Sequence, residues 1–220
     1  NYQTPLYVIL LTLTNFYFIV LCTGAERLKI AYLILIIALL FKGKSRIFLF
    51  LLSPLAHLQS FILLISLYCA HLCDDFIVFL KKFAFSKRMF KSTLTLLIIG
   101  AVLALIMQEA ILKKLFGYIS FDFTLLKIIN ITILYFLSLI ITNRKLEMTF
   151  AFIPLFIAAA LLGGTRVNMI AFTVVFGFLL FQKRVSHPLF ILLLLYYSIK
   201  SVPFIKNIYI FNNGFGGSLW

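Results

Sequence analysis

Long apolar runs separated by short polar turns recur along the whole chain. Measured against the roughly 20 residues that cross a bilayer, the runs at 5–22, 28–41, 47–73, 92–108, 125–142, 148–163, 168–181 and 188–203 predict an all-α fold. The expected architecture is a polytopic transmembrane helical bundle of seven or eight spans. Several runs are short, a length that suits helices packed inside a bundle or a locally thinned bilayer. Two stretches predict interfacial segments: residues 111–123, ILKKLFGYISFDF, mix Lys113, Lys114 and Asp122 with aromatics, and residues 76–90 have a similar blend. Neither is long enough for a separate domain and no internal repeat is visible. Residues 1–220 therefore read as a single integral-membrane domain.

Composition strengthens the membrane reading. Hydrophobic residues make up 64% of the chain, against roughly half in water-soluble domains, so a soluble globular protein is excluded. The net charge of +14 does not point to nucleic acid. Its Lys and Arg side chains sit in clusters between apolar runs, such as KGKSR at 42–46, KKFAFSKRMFK at 81–91 and QKR at 182–184, the distribution of cytoplasmic loops beside anionic lipid. Cys22, Cys69 and Cys73 have no spacing of a disulfide framework. The chain opens on Asn and ends on GFGGSLW, which leads us to expect the later part of a longer or processed protein.

Charge placement poses a parity problem. If the clusters at 42–46, 81–91, 144–145 and 183–184 share the cytoplasmic face, an even number of crossings must separate the first two, yet only the run at 47–73 lies between them. That run carries Ser53, Pro54, His57, Gln59 and Ser60. A break at SPLAHLQS restores parity, since proline removes a backbone donor and irregular backbone is tolerated where protein covers it. The turns at 23–27, 109–124 and 163–166 then share the outer face. A single tilted span is the alternative, and it sends Arg27 and Arg166 to opposite faces.

Few polar side chains remain to carry chemistry. Arg166 follows Gly163 and Gly164 at a helix start, with Asn168 just inside; free N–H groups and the helix dipole favour an anion there, and the guanidinium fork suits phosphate. A snorkelling anchor is the competing role. Arg27 repeats the pattern in GAERLKIA, where Glu26 has Arg27 and Lys29 as nearby partners. His57 lies inside an apolar run; it is either a hydrogen-bonded filler or a general base or phosphate contact. In CAHLCDD, Cys69 and Cys73 could share a helix face, but His71 is rotated about 200° from Cys69, so a closed metal site is not expected. No Walker loop, nucleophile elbow, HExxH or dinucleotide fingerprint occurs.

Two segments resemble a known family. GAERLKIAYLILIIALLFKGKSRIFLFLLSPLAHLQSFILL, residues 24–64, resembles the arginine-led helix, basic turn and histidine-bearing helix of bacterial polysaccharide polymerases of the EpsG and Wzy type. GGTRVNMIAFTVVFGFLLF, residues 163–181, resembles their later Arg-x-Asn helix. Members are usually longer, with helices upstream. The resemblance implies a multi-pass glycosyltransferase of the bacterial inner (cytoplasmic) membrane, acting on its outer face. It would polymerise undecaprenyl-pyrophosphate-linked repeat units into O-antigen or exopolysaccharide. Carried over, Arg27 and Arg166 contact the pyrophosphate, Asn168 positions substrate, and His57 is the base or a second phosphate contact, with Glu26 as another candidate base. Arginines replace a metal in this chemistry, so no cofactor and no metal are expected. The partners are the lipid-linked oligosaccharide, membrane lipid and other polysaccharide-assembly membrane proteins. A transporter or flippase for a lipid-linked or anionic solute, expected to have one interrupted helix in each half, and a noncatalytic membrane subunit are the rival functions.

Overall fold

The computed structural model describes residues 4–41, 43–57, 59–83, 126–162 and 164–211, with scattered helical residues between 87 and 108. The expected interfacial stretch at 111–123 lies outside the described residues, as do most of 84–91. Among the described residues every regular element is helical: α1 (Leu6–Leu13), α2 (Phe16–Thr23), α3 (Glu26–Leu40), α4 (Lys44–Ala56), α5 (Gln59–His71), α6 (Cys73–Lys82), α7 (Leu126–Ile141), α8 (Lys145–Leu162), α9 (Gly164–Phe181) and α10 (Pro188–Phe211).

Local chemistry explains the helix limits. Asn15 caps α2, its Oδ1 accepting the Tyr17 N–H at 2.8 Å. Gly43 takes φ +69°, a conformation glycine adopts without strain, and turns the chain from α3 into α4. Helix α6 carries Asp74 and Asp75 in its first turn and Lys81 and Lys82 in its last, both favourable to the helix dipole. With Val78, Leu80 and Phe83 exposed beside those lysines, it has the make-up of an interfacial helix.

Contacts fix the helix directions. Helices α3 and α4 pack as an extensive hairpin, and the Ser53 hydroxyl donates to the Ala31 carbonyl at 3.0 Å. Helix α5 packs along α8, while Phe76, just beyond α5, stacks edge-on against Phe150 near the start of α8, with ring centroids 5.2 Å apart; α5 and α8 are antiparallel. Helices α7 and α8 form a second hairpin, held by Tyr135 against Thr149 (3.0 Å). Phe190 beside Phe176 and Tyr197 beside Phe172 set α10 antiparallel to α9. The core is centred on α8 and α9, where Met148, Phe152, Leu155, Ala159, Ile170 and Val174 are buried; alanines on both helices permit close approach.

The exterior is apolar as well. On α7, Ile129, Ile133, Phe136 and Ile140 are exposed while Ile131, Leu134 and Ile141 are buried. A helix apolar on opposite faces suits surroundings other than water. One described helix, over Pro188–Ile210, is long and apolar enough to cross a membrane, and up to three spans result if the bent pairs α1–α2 (52°) and α5–α6 (51°) each count as one.

Several sequence expectations are corrected. The run at 5–22 is two helices, because Asn15 caps a new helix in mid-run. Of the two readings of the run at 47–73, the single span is the one set aside: it is two helices meeting at His57, within SPLAHLQS. Cys69 and Cys73 do not share one helix, since the chain bends at Leu72. The last helix extends to Phe211 because Pro203 is accommodated within it.

Candidate functional site

Arg27 lies in the first turn of α3 beside Glu26, and both side chains are exposed. Lys29, one partner considered for Glu26, instead donates its ammonium to the Cys22 carbonyl at 3.3 Å, satisfying an orphan acceptor at the end of α2.

His57 is the residue at which α4 stops. Its backbone is extended (φ −156°, ψ 119°), and Pro54 one turn earlier removes a helical donor. The Ser53 hydroxyl also touches the Ser60 hydroxyl (3.0 Å), and Ser60 donates to the His57 carbonyl (2.9 Å), so two buried serines close the break. The half-buried imidazole accepts the Gln59 N–H on Nδ1 at 3.1 Å. In the neutral ring the proton then sits on Nε2, which offers a donor. That tautomer suits contact with a phosphate oxygen better than proton abstraction.

Arg166 and Asn168 stand in the first turns of α9. The Arg166 side chain lies outside the described residues. Asn168 is 5% exposed, and its Oδ1 has no hydrogen-bond partner. A buried acceptor without a donor is uncommon enough to need a reason, such as a water or ligand.

These positions gather at one end of the bundle. From the Ser53–Ala31 bond, four residues forward on α4 and four back on α3 bring His57 level with Arg27. On α3 and α9 the Tyr32 hydroxyl lies beside Thr173, although outside hydrogen-bonding geometry; five residues back on each helix are Arg27 and Asn168. Because α5 runs antiparallel to α8, its start lies toward the end of α8, where α9 begins at Gly164. No family model, curated protein or solved structure matches this chain. Function must therefore be argued from these side chains and their chemistry.

The opposite end collects basic turns. Arg46 opens α4, Arg144 and Lys145 precede α8, and Lys183 and Arg184 follow α9. Gln182 ties two of these turns together: its Nε2 donates to Thr142 Oγ1 (2.8 Å), and its Oε1 accepts from the Asn143 N–H (3.0 Å). Arg184 donates to the Ile141 carbonyl at 2.6 Å. Arg144 pairs with Glu147 at 3.2 Å.

Sequence reasoning passed over Asn15, Tyr32 and Lys200. The signal for Lys200 was present, as it is an ionisable residue within the apolar run at 188–203. For Asn15 it was the TLTN stretch at 12–15, which has a helix cap in mid-run.

Proposed function

We propose that this chain is a polytopic inner-membrane glycosyltransferase that polymerises oligosaccharide units carried on a polyprenyl pyrophosphate. Arg27 and Arg166 hold the pyrophosphate, His57 donates from Nε2 to a phosphate oxygen, Asn168 positions the substrate, and Glu26 is the candidate base. An acceptor sugar hydroxyl attacks the anomeric carbon. The bond from that carbon to the pyrophosphate oxygen breaks, the leaving group keeps the electron pair, and the hydroxyl proton passes to the base. Guanidinium groups stabilise the charge that develops on the departing oxygen.

One observation carries this reading: the starts of α3 and α9 and the His57 break lie at one end of the bundle, opposite the basic turns. It is joined by the resemblance of residues 24–64 and 163–181 to EpsG- and Wzy-type polymerases. Basic turns face the cytoplasm by the usual charge asymmetry, which assigns the arginine end to the outer side. Among the described residues both bent helix pairs lie before residue 83, whereas a transporter built from inverted repeats would put one in each half.

Two experiments test it. Topology reporters fused after Arg46 and Lys91 are expected to read cytoplasmic, and one after Phe123 to read external; a cytoplasmic reading at Phe123 is incompatible with the orientation. Membranes containing the full-length protein, supplied with a polyprenyl-pyrophosphate-linked oligosaccharide, are expected to yield products spaced by one repeat unit and to release polyprenyl pyrophosphate. Substrate left at single-repeat length would remove the enzymatic reading.

A further inference from the structure

Helix α6 has two faces. Cys73, Phe76, Leu80 and Phe83 recur at three- and four-residue spacing on one side, and Asp74, Asp75, Val78, Lys81 and Lys82 lie on the other. The apolar face leaves the protein halfway along. Cys73 is buried and the Phe76 ring packs against Phe150, whereas Leu80 and Phe83 are exposed, Phe83 by 84%. Phe79 links the two halves, its ring 6.2 Å from Phe76 and 6.3 Å from Phe83. In water the outer end of such an aromatic row would be costly, and among the described residues nothing covers it.

Helix lengths place that end. Helix α5 begins at the arginine end, and α6 turns 51° away from it. With α5 along the membrane normal, its 13 residues rise about 20 Å and the 10 residues of α6 a further 9 Å or about that. Together they match the roughly 30 Å of a hydrocarbon core. Lys81, Lys82 and Phe83 therefore emerge at headgroup level. They do so on the side of the basic turns, because α5 runs antiparallel to α8, which Arg144 and Lys145 open.

Charge decides what covers the turn. Lys81 and Lys82 are exposed, and their flexible stems let the ammonium groups reach headgroup phosphates while Leu80 and Phe83 sit among acyl chains. The acids of this region lie elsewhere. Asp74 and Asp75 are in the first turn of α6, about 10 Å back along the helix from the lysines, and Glu147 is paired with Arg144. An acidic protein segment would pair with the lysines but leave the apolar side chains open; a negatively charged lipid surface satisfies both.

We propose that the last turn of α6 is a binding site for anionic phospholipid, with Leu80 and Phe83 in the acyl region and Lys81 and Lys82 on the headgroups. The site lies at the basic end of the bundle and does not depend on glycan chemistry at the arginine end.

The test places a fluorescent reporter on the turn. The chain has one tryptophan, Trp220, so Phe83→Trp is made in the full-length protein carrying Trp220→Phe. The protein is reconstituted in vesicles of phosphatidylcholine with a minor fraction of phosphatidylglycerol, with bromine on the acyl chains of one lipid or the other. Both brominated lipids are expected to quench the reporter, and phosphatidylglycerol, molecule for molecule, about fivefold more effectively. Lys81→Gln with Lys82→Gln should bring the two lipids to parity, and high salt should move them toward it. Leu80→Trp, on the same face, carries the measurement if Phe83→Trp does not fold. Absence of quenching by either lipid puts the turn in water or against protein and overturns the site. Equal quenching by the two lipids, or a preference that survives loss of both lysines, overturns the anionic selectivity and with it the proposal.

Discussion

If the proposed polymerase function holds, Arg166→Lys in the full-length protein is expected to abolish long glycan chains, leaving single-repeat species on a gel. The physical basis is the difference between two cations of equal charge. Arginine presents a rigid planar fork that binds a phosphate through two parallel hydrogen bonds, whereas lysine offers a compact, strongly hydrated charge. If the guanidinium stabilises charge developing on the departing pyrophosphate, losing its geometry should slow polymerisation by about a hundredfold or more, as removal of one preorganised donor does elsewhere. Because Arg166→Lys keeps the positive charge, insertion and orientation should be unchanged. Arg144→Lys, at the opposite end and in an exposed pair with Glu147, is the matched control and should leave the chain-length distribution unaltered. Wild-type laddering in the Arg166→Lys protein would reduce that arginine to a membrane anchor.

Phe152→Ala is expected to cost about 3 kcal/mol of stability, near the lower end of the range for a buried aromatic. Phe152 is fully buried on α8, with its ring 5.2 Å from Tyr135 and 6.1 Å from Phe156. In lipid the usual transfer gain is largely absent, since acyl chains are as apolar as the protein interior. The loss therefore comes from the cavity and the missing dispersion contacts. Phe136→Ala on α7, where the ring is 58% exposed, leaves no cavity and should change stability by less than about 0.5 kcal/mol. Denaturation in detergent micelles, followed by helical signal, compares the two. Equal losses would mean that the α7–α8 interface is not packed as described.

Several expectations on which this chemistry depends were legible in the residues themselves. The all-α class follows from apolar runs too long for strands and too continuous for a soluble protein. The break near His57 could be anticipated because proline and a cluster of polar side chains inside an apolar run cannot all be satisfied by an uninterrupted helix. The kink at Leu72 could not, since nothing between His71 and Cys73 departs from helical preference. Asn15 was missed for a related reason: one capping residue carries little weight in a run whose average is strongly apolar.

Sequence alone established that the chain is helical and apolar, that much of its charge is clustered in short turns between apolar runs, and that Arg27, His57, Arg166 and Asn168 are the polar side chains to question. Tertiary structure decided which turns meet. A helix has direction, but its sequence does not record which neighbour it packs against. The Ser53–Ala31 bond sets α4 antiparallel to α3, and the Phe76–Phe150 contact sets α5 antiparallel to α8. Helix direction placed the starts of α3 and α9 at one end and the basic turns at the other, and the packing of α10 on α2 brought Lys200 over the Phe16 ring. Both are long-range consequences of packing, which no local pattern of residues encodes.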